Sequence, residues 1–167
     1  MGTGAKRSLR VTAFAILLVL VVSSVAMAYV TIYCNAGVGR ARLNMYDRTA
    51  ASYLGARYAG RDRSYANQVV YKYVRGSRLS NGHYPLEIYS NKYHKVFTFS
   101  MNTNAYATYR KAIRVGSSEY ALRRAYGSSL RRYPTSVYIR YSMGTRSGGT
   151  DFWVRGGRVK QIVVRKY

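Results

Sequence analysis

One succession of residue types occurs twice along this chain, 72 positions apart. An apolar residue (Leu43 or Val115) leads to an acid (Asp47 or Glu119) and then to a glycine (Gly55 or Gly127). Between acid and glycine each copy has helical spacing. Ala50, Ala51 and Leu54 share a face in the first, and Leu122, Ala125 and Tyr126 in the second. Asp47 in the first copy, and Ser117 or Ser118 in the second, can accept from the free N–H groups of the first turn. Glu119 suits the positive helix end, and each glycine can end its helix in the left-handed conformation.

Three strands are expected after each helix. In the first copy they cover about 68–75, 84–89 and 95–101, where Leu86 and Ile88 flank Glu87, and Phe97, Phe99 and Met101 alternate with Thr98 and Ser100. In the second they cover about 136–142, 150–155 and 158–165. Gly156-Gly157 fits a two-residue hairpin turn with φ positive at both positions. Val159, Ile162 and Val164 break strict alternation once, which predicts a bulge near Lys160-Gln161. The expected fold class is therefore α+β: two helix-plus-three-strand repeats, residues 29–104 and 105–167, forming an antiparallel sheet of about six strands with helices on one face.

An N-terminal apolar helix is expected ahead of the repeats. Lys6, Arg7 and Arg10 precede an uncharged run over residues 11–28 that closes with Ala26-Met27-Ala28. A basic front, an apolar middle and an Ala-x-Ala end are the layout of a secretory signal peptide. At 18 residues the run also sits at the lower edge of a membrane span, so an uncleaved signal anchor is the alternative. Either way residues 29–167 are expected outside the cytoplasm, secreted or held at the membrane by residues 11–28.

The chain has 28 Lys and Arg against 5 acids. Three bases fall in the leader, so the remainder carries 25 bases and 5 acids, +20 net. Such a field draws polyanions. Outside a cell these are envelope polymers, anionic lipid, acidic polysaccharide and acidic proteins, with nucleic acid expected only as extracellular DNA. Membrane contact is expected through the leader if it is retained. The 19 tyrosines are the second departure, and many stand beside bases, as in Tyr71-Lys72-Tyr73 and Tyr138-Ile139-Arg140-Tyr141. Aromatic and basic residues in alternation stack on rings while pairing with anions. They also make ordinary half-buried strands.

No reaction centre is legible. The two histidines, His83 and His94, fall in or near expected turns, and the acids are scattered. Asp151 is expected to pair with Arg155 or Lys160. No Gly-x-Ser-x-Gly elbow occurs, Gly37-x-Gly39 lacks the spacing of a phosphate loop, and Cys34 is the sole cysteine. Neither an internal disulfide nor a thiolate metal site is possible, and no cofactor is expected.

The pattern Val115-Gly116-Ser117-Ser118 … Leu122 … Tyr126-Gly127 … Thr150-Asp151-Phe152-x-Val154-x-x-Gly157-Arg158-Val159-x-x-Ile162 resembles small exported bacterial α/β modules. These are the SmpA/OmlA-type domains of outer-membrane assembly lipoproteins and, as a tandem pair, the beta-lactamase inhibitor proteins. Tandem-repeat secreted proteins of actinobacterial type look similar. The likeness spans about 38–167 and rests on turn, cap and core residues. It implies a non-catalytic scaffold that binds a protein or an envelope component. The cysteine pairs that close each inhibitor repeat are absent here, and no inhibitor contact residue carries over.

Charge and resemblance together lead to one expectation. The chain is a non-catalytic exported module at the bacterial cell envelope that binds an anionic envelope polymer or an acidic protein. The expected contacts on the open sheet face are Lys72 and Tyr73 in the first repeat, and Tyr138, Arg140, Trp153, Arg155 and Lys160 in the second. Trp153 leads because alternation sets it opposite Phe152 and Val154. The alternative is a proteinaceous inhibitor or antagonist of a secreted enzyme.

Overall fold

The computed structural model describes residues 29–65, 68–145 and 147–166. The expected leader, residues 1–28, lies outside them. No described helix is long and apolar enough to cross a membrane.

The architecture is mainly β, and it overturns the α+β plan of six strands. Twelve strands and two short helices are present among the described residues. In chain order they are β1 (Val30–Tyr33), β2 (Gly37–Val38), β3 (Ala41–Arg42), α1 (Asp47–Leu54), β4 (Arg57–Asp62), β5 (Val70–Arg75), β6 (Leu86–Ser90) and β7 (Val96–Met101). Then follow β8 (Tyr106–Thr108), α2 (Glu119–Tyr126), β9 (Arg131–Pro134), β10 (Ile139–Thr145), β11 (Gly148–Arg155) and β12 (Arg158–Arg165). Eight strands form one antiparallel sheet in the order β4-β5-β6-β7-β12-β11-β10-β9. The other four form a mixed sheet, β3-β2-β1-β8, in which β1 runs parallel to β8 and antiparallel to β2.

Each half of the large sheet is thus a helix followed by four strands, not three. The unexpected fourth strands, β4 and β9, are its two edges. Neither has a buried residue, so no apolar alternation marks them. Exposed charge at an edge discourages pairing with another chain. The small sheet has no periodic signature in the sequence because its strands have only two to four residues.

The halves meet where β7 pairs with β12, setting Met101 opposite Ile162 and Phe99 opposite Val164. Alternation then gives the large sheet one apolar face. Leu86, Ile88, Phe99, Met101, Phe152, Ile162 and Val164 are fully buried there. Ala50 and Leu54 of α1, Leu122 of α2, and Ile32, Val38, Ala41 and Tyr106 of the small sheet complete a single core with them. Each large side chain withdrawn from water in this way contributes roughly 1.5–3 kcal/mol.

Local chemistry fixes the ends of the elements. Ser118 caps α2 by accepting from Ala121 N–H at 3.1 Å. Asp47 does not cap α1; Tyr46 takes that position without a side-chain bond, and Asp47 is the first helical residue. Gly55 stops α1 at φ 60°, ψ 36°, a left-handed conformation that glycine adopts without strain. Gly156 and Gly157 turn the β11–β12 hairpin at φ 58° and 67°. In that hairpin Gln161 faces Trp153 and Val159 faces Val154, so Lys160 is the extra residue of a bulge.

Candidate functional site

The face of the large sheet turned away from the helices carries the exposed chemistry. The antiparallel register aligns Tyr133 of β9, Arg140 of β10, Trp153 of β11 and Gln161 of β12 in one row across four strands. The Arg140 guanidinium carbon lies 4.6 Å from the Tyr133 ring centre and 5.9 Å from that of Trp153. Tyr138 meets Trp153 edge to face at 6.2 Å, and Arg155 lies 5.7 Å from the Tyr138 ring. Stacking holds the guanidinium plane and leaves its in-plane N–H groups for a carboxylate or phosphate. Arg140 Nε is buried and has no hydrogen-bond partner among the described residues.

Arg140 also borders a pocket of about 760 Å³ that includes Arg131, Tyr133, Arg165, Ser128 and Ser129. Three guanidinium groups, with the hydroxyls of Ser128, Ser129, Tyr133, Ser142 and Thr145, around one recess make a setting for anionic oxygen. Arg165 is held by Asp151, with Nη2 at 2.8 Å from Oδ2. The expected Asp151 partners, Arg155 and Lys160, are therefore corrected. Arg165 lies two residues beyond Val163, which faces Asp151 directly, and so occupies a diagonal position on the same side of the sheet.

The carboxylates are withdrawn from this surface. Asp47, Glu87 and Asp151 are each 1% exposed, while Asp62 and Glu119 are half-buried. No described Lys or Arg is buried. Glu87 sits in the floor of the same face, with Lys72 Nζ at 2.9 Å, His83 Nδ1 at 3.4 Å and the Tyr89 hydroxyl at 3.2 Å. Burial first, and the Glu87 charge second, push the Tyr89 phenol well above its ordinary range. On the other side of the sheet, Asp47 Oδ2 holds Ser90 Oγ at 2.7 Å and His94 Nδ1 at 2.9 Å, and Oδ1 takes Arg48 N–H at 2.7 Å. Tyr71 stacks on the His94 ring at 4.4 Å.

Of the seven residues singled out in the sequence, five converge. Tyr138, Arg140, Trp153 and Arg155 interlock, and Lys160 borders a recess beside Trp153 and Tyr138. Lys72 lies on the same face but across β6, β7 and β12, tied to Glu87 and over the rings of Tyr84 and Tyr89. Tyr73 is corrected. It is 7% exposed and belongs to the core beside α1, because neighbours along a strand cannot both face out.

The chain matches no protein-family model and no curated protein. One solved structure resembles it: the crystal structure of the uncharacterized protein yfeY from Escherichia coli. The TM-score is 0.53 at 12% identity, over 83% of this chain and 100% of that one. At that identity the likeness concerns the fold alone.

Arg131, Tyr133, Gln161 and Asn102 join the site without having been foreseen. The first two lie on edge strand β9, whose signal was absent. Gln161 was visible in the expected bulge, but its place beside Trp153 depends on register. Among the described residues no group of three His, Cys, Asp or Glu is placed to hold a metal ion. Cys34 is half-buried, its Sγ 3.5 Å from the Tyr126 hydroxyl, and burial pushes the thiol's pKa up.

Proposed function

We propose that this chain is a non-catalytic exported module of the bacterial cell envelope, and that the face built by β9–β12 binds an anionic polymer. The observation that carries the reading is the partition of charge. Every side-chain carboxylate is buried or half-buried, no described Lys or Arg is buried, and Arg140 and Arg155 lie against aromatic rings on the side of the sheet that no helix covers. A stacked guanidinium gives up little side-chain freedom when it binds, which lowers the cost of association. The strong net charge adds long-range attraction and a fast encounter.

The test is polymer binding at two ionic strengths, with polyphosphate and polygalacturonate against uncharged dextran. Affinity for both polyanions is expected to fall steeply between about 50 and 200 mM salt, while dextran stays unbound. Replacing Arg131 and Arg140 together by alanine removes two contacts and lowers the slope of log affinity against log salt by about 2. Polyanion binding that is indifferent to salt, or unchanged in the double variant, contradicts the reading.

A further inference from the structure

At the Trp153 end of the aromatic–basic row lies a second recess, of about 230 Å³, bordered by Tyr138, Trp153, Lys160, Gln161, Asn81 and His83. It is smaller than the roughly 300–1,000 Å³ of pockets that enclose drug-sized ligands, and its size suits a single ring. Trp153 and Tyr138 form two walls, their planes at 87°.

The polar lining is mixed in character. Gln161 Nε2 donates to Ser100 Oγ at 2.9 Å and to Asn102 Oδ1 at 3.0 Å, which uses both amide hydrogens and leaves Oε1 as an acceptor. Asn102 is itself fixed, its Nδ2 donating to the Tyr84 carbonyl at 2.8 Å. His83 Nδ1 faces the Glu87 carboxylate at 3.4 Å and donates to it, which leaves the other edge of the ring toward the recess. Lys160 and the Asn81 amide supply donors.

The internal phosphates of a polyphosphate offer only lone pairs, and these would meet the lone pairs of Gln161 Oε1. A sugar ring offers hydroxyls that both donate and accept, and a C–H face that lies on an indole. Arg140, the next residue along the row, then stands within one cross-strand step for a carboxylate. From this arrangement we infer that the recess seats one pyranose ring of an acidic polysaccharide, a uronic-acid polymer whose carboxylates pair with Arg140 and the bases around it. The inference rests on the polyanion reading above and narrows its ligand from anionic polymers in general to acidic glycans.

Trp153 is the sole tryptophan of the chain, so intrinsic fluorescence reports on this recess directly. The full chain is titrated at low salt with oligogalacturonate and, separately, with polyphosphate of matched charge. Oligogalacturonate is expected to shift the Trp153 emission to the blue, and polyphosphate to bind without moving it. By calorimetry, Trp153→Ala and Gln161→Ala each weaken oligogalacturonate about tenfold and polyphosphate clearly less, and Trp153→Phe retains most of the affinity. An unchanged far-ultraviolet circular dichroism spectrum shows that a variant is folded. Should Trp153→Ala fail that check, Gln161→Ala and the emission of the unaltered chain decide the matter alone. If both ligands bind equally and neither the emission nor the Gln161→Ala affinity responds to the sugar, the ring seat is wrong and the polyanion face stands. If neither ligand binds, both readings fall.

Discussion

At the residue scale the decisive fact is how few acids there are and how each is used. Asp47 joins helix α1 to strand β6 through Ser90 and to the β6–β7 turn through His94, and accepts the Arg48 amide of its own helix. Asp47→Ala removes those charge-assisted bonds and leaves their partners short of an acceptor. A loss of about 2–3 kcal/mol in urea unfolding is expected. A loss within about 0.5 kcal/mol, the range of an ordinary surface substitution, would refute that role.

The half-buried phenols of Tyr89 and Tyr126 carry a pH dependence. Burial, aided by Glu87 for Tyr89 and by Cys34 for Tyr126, raises both above the ordinary value near 10. In the unfolded chain these groups release their protons near pH 10; in the folded chain they keep them. The unfolded state then binds fewer protons, so stability falls as pH rises above about 10, and the contribution is intact below it. Absorbance titration should show Tyr89 and Tyr126 ionising only when the chain unfolds, and Tyr89→Phe should flatten the alkaline loss. Ionisation of all the tyrosines near pH 10 in a chain that stays folded would contradict this.

At the scale of elements, legibility followed burial. Strands β5, β6, β7, β10, β11 and β12 each contribute an apolar face to the core, and their period of two is written in residues such as Leu86, Ile88, Phe152 and Val154. Edge strands β4 and β9 bury nothing, and β1, β2, β3 and β8 are too short to show a period. With half the strands silent, a mainly β protein reads as α+β. The candidate site was legible where it depends on alternation, as for Trp153 and Arg140. It was not where it depends on cross-strand register, as for Tyr133, Gln161 and Arg165. The helix ends give a further check. Gly55→Ala places a side chain at φ 60° with no compensating contact, since open space surrounds the position. About 1–2 kcal/mol of lost stability is expected in thermal or urea unfolding, and no loss would mean that the turn relaxes.

At the scale of the whole molecule, two helices and a small sheet crowd one side of the large sheet and leave the other to arginine and tyrosine. The β7–β12 pairing fuses both halves into one surface, so Lys72 and Glu87 of the first half share a face with Arg140 and Trp153 of the second. Amide hydrogen exchange of the full chain, with and without saturating polygalacturonate at low salt, tests the account most directly. Slowed exchange concentrated in β9, β10 and β11, with α1 and α2 unchanged, is the predicted result. Protection centred on the helices, or spread evenly over the chain, would contradict it.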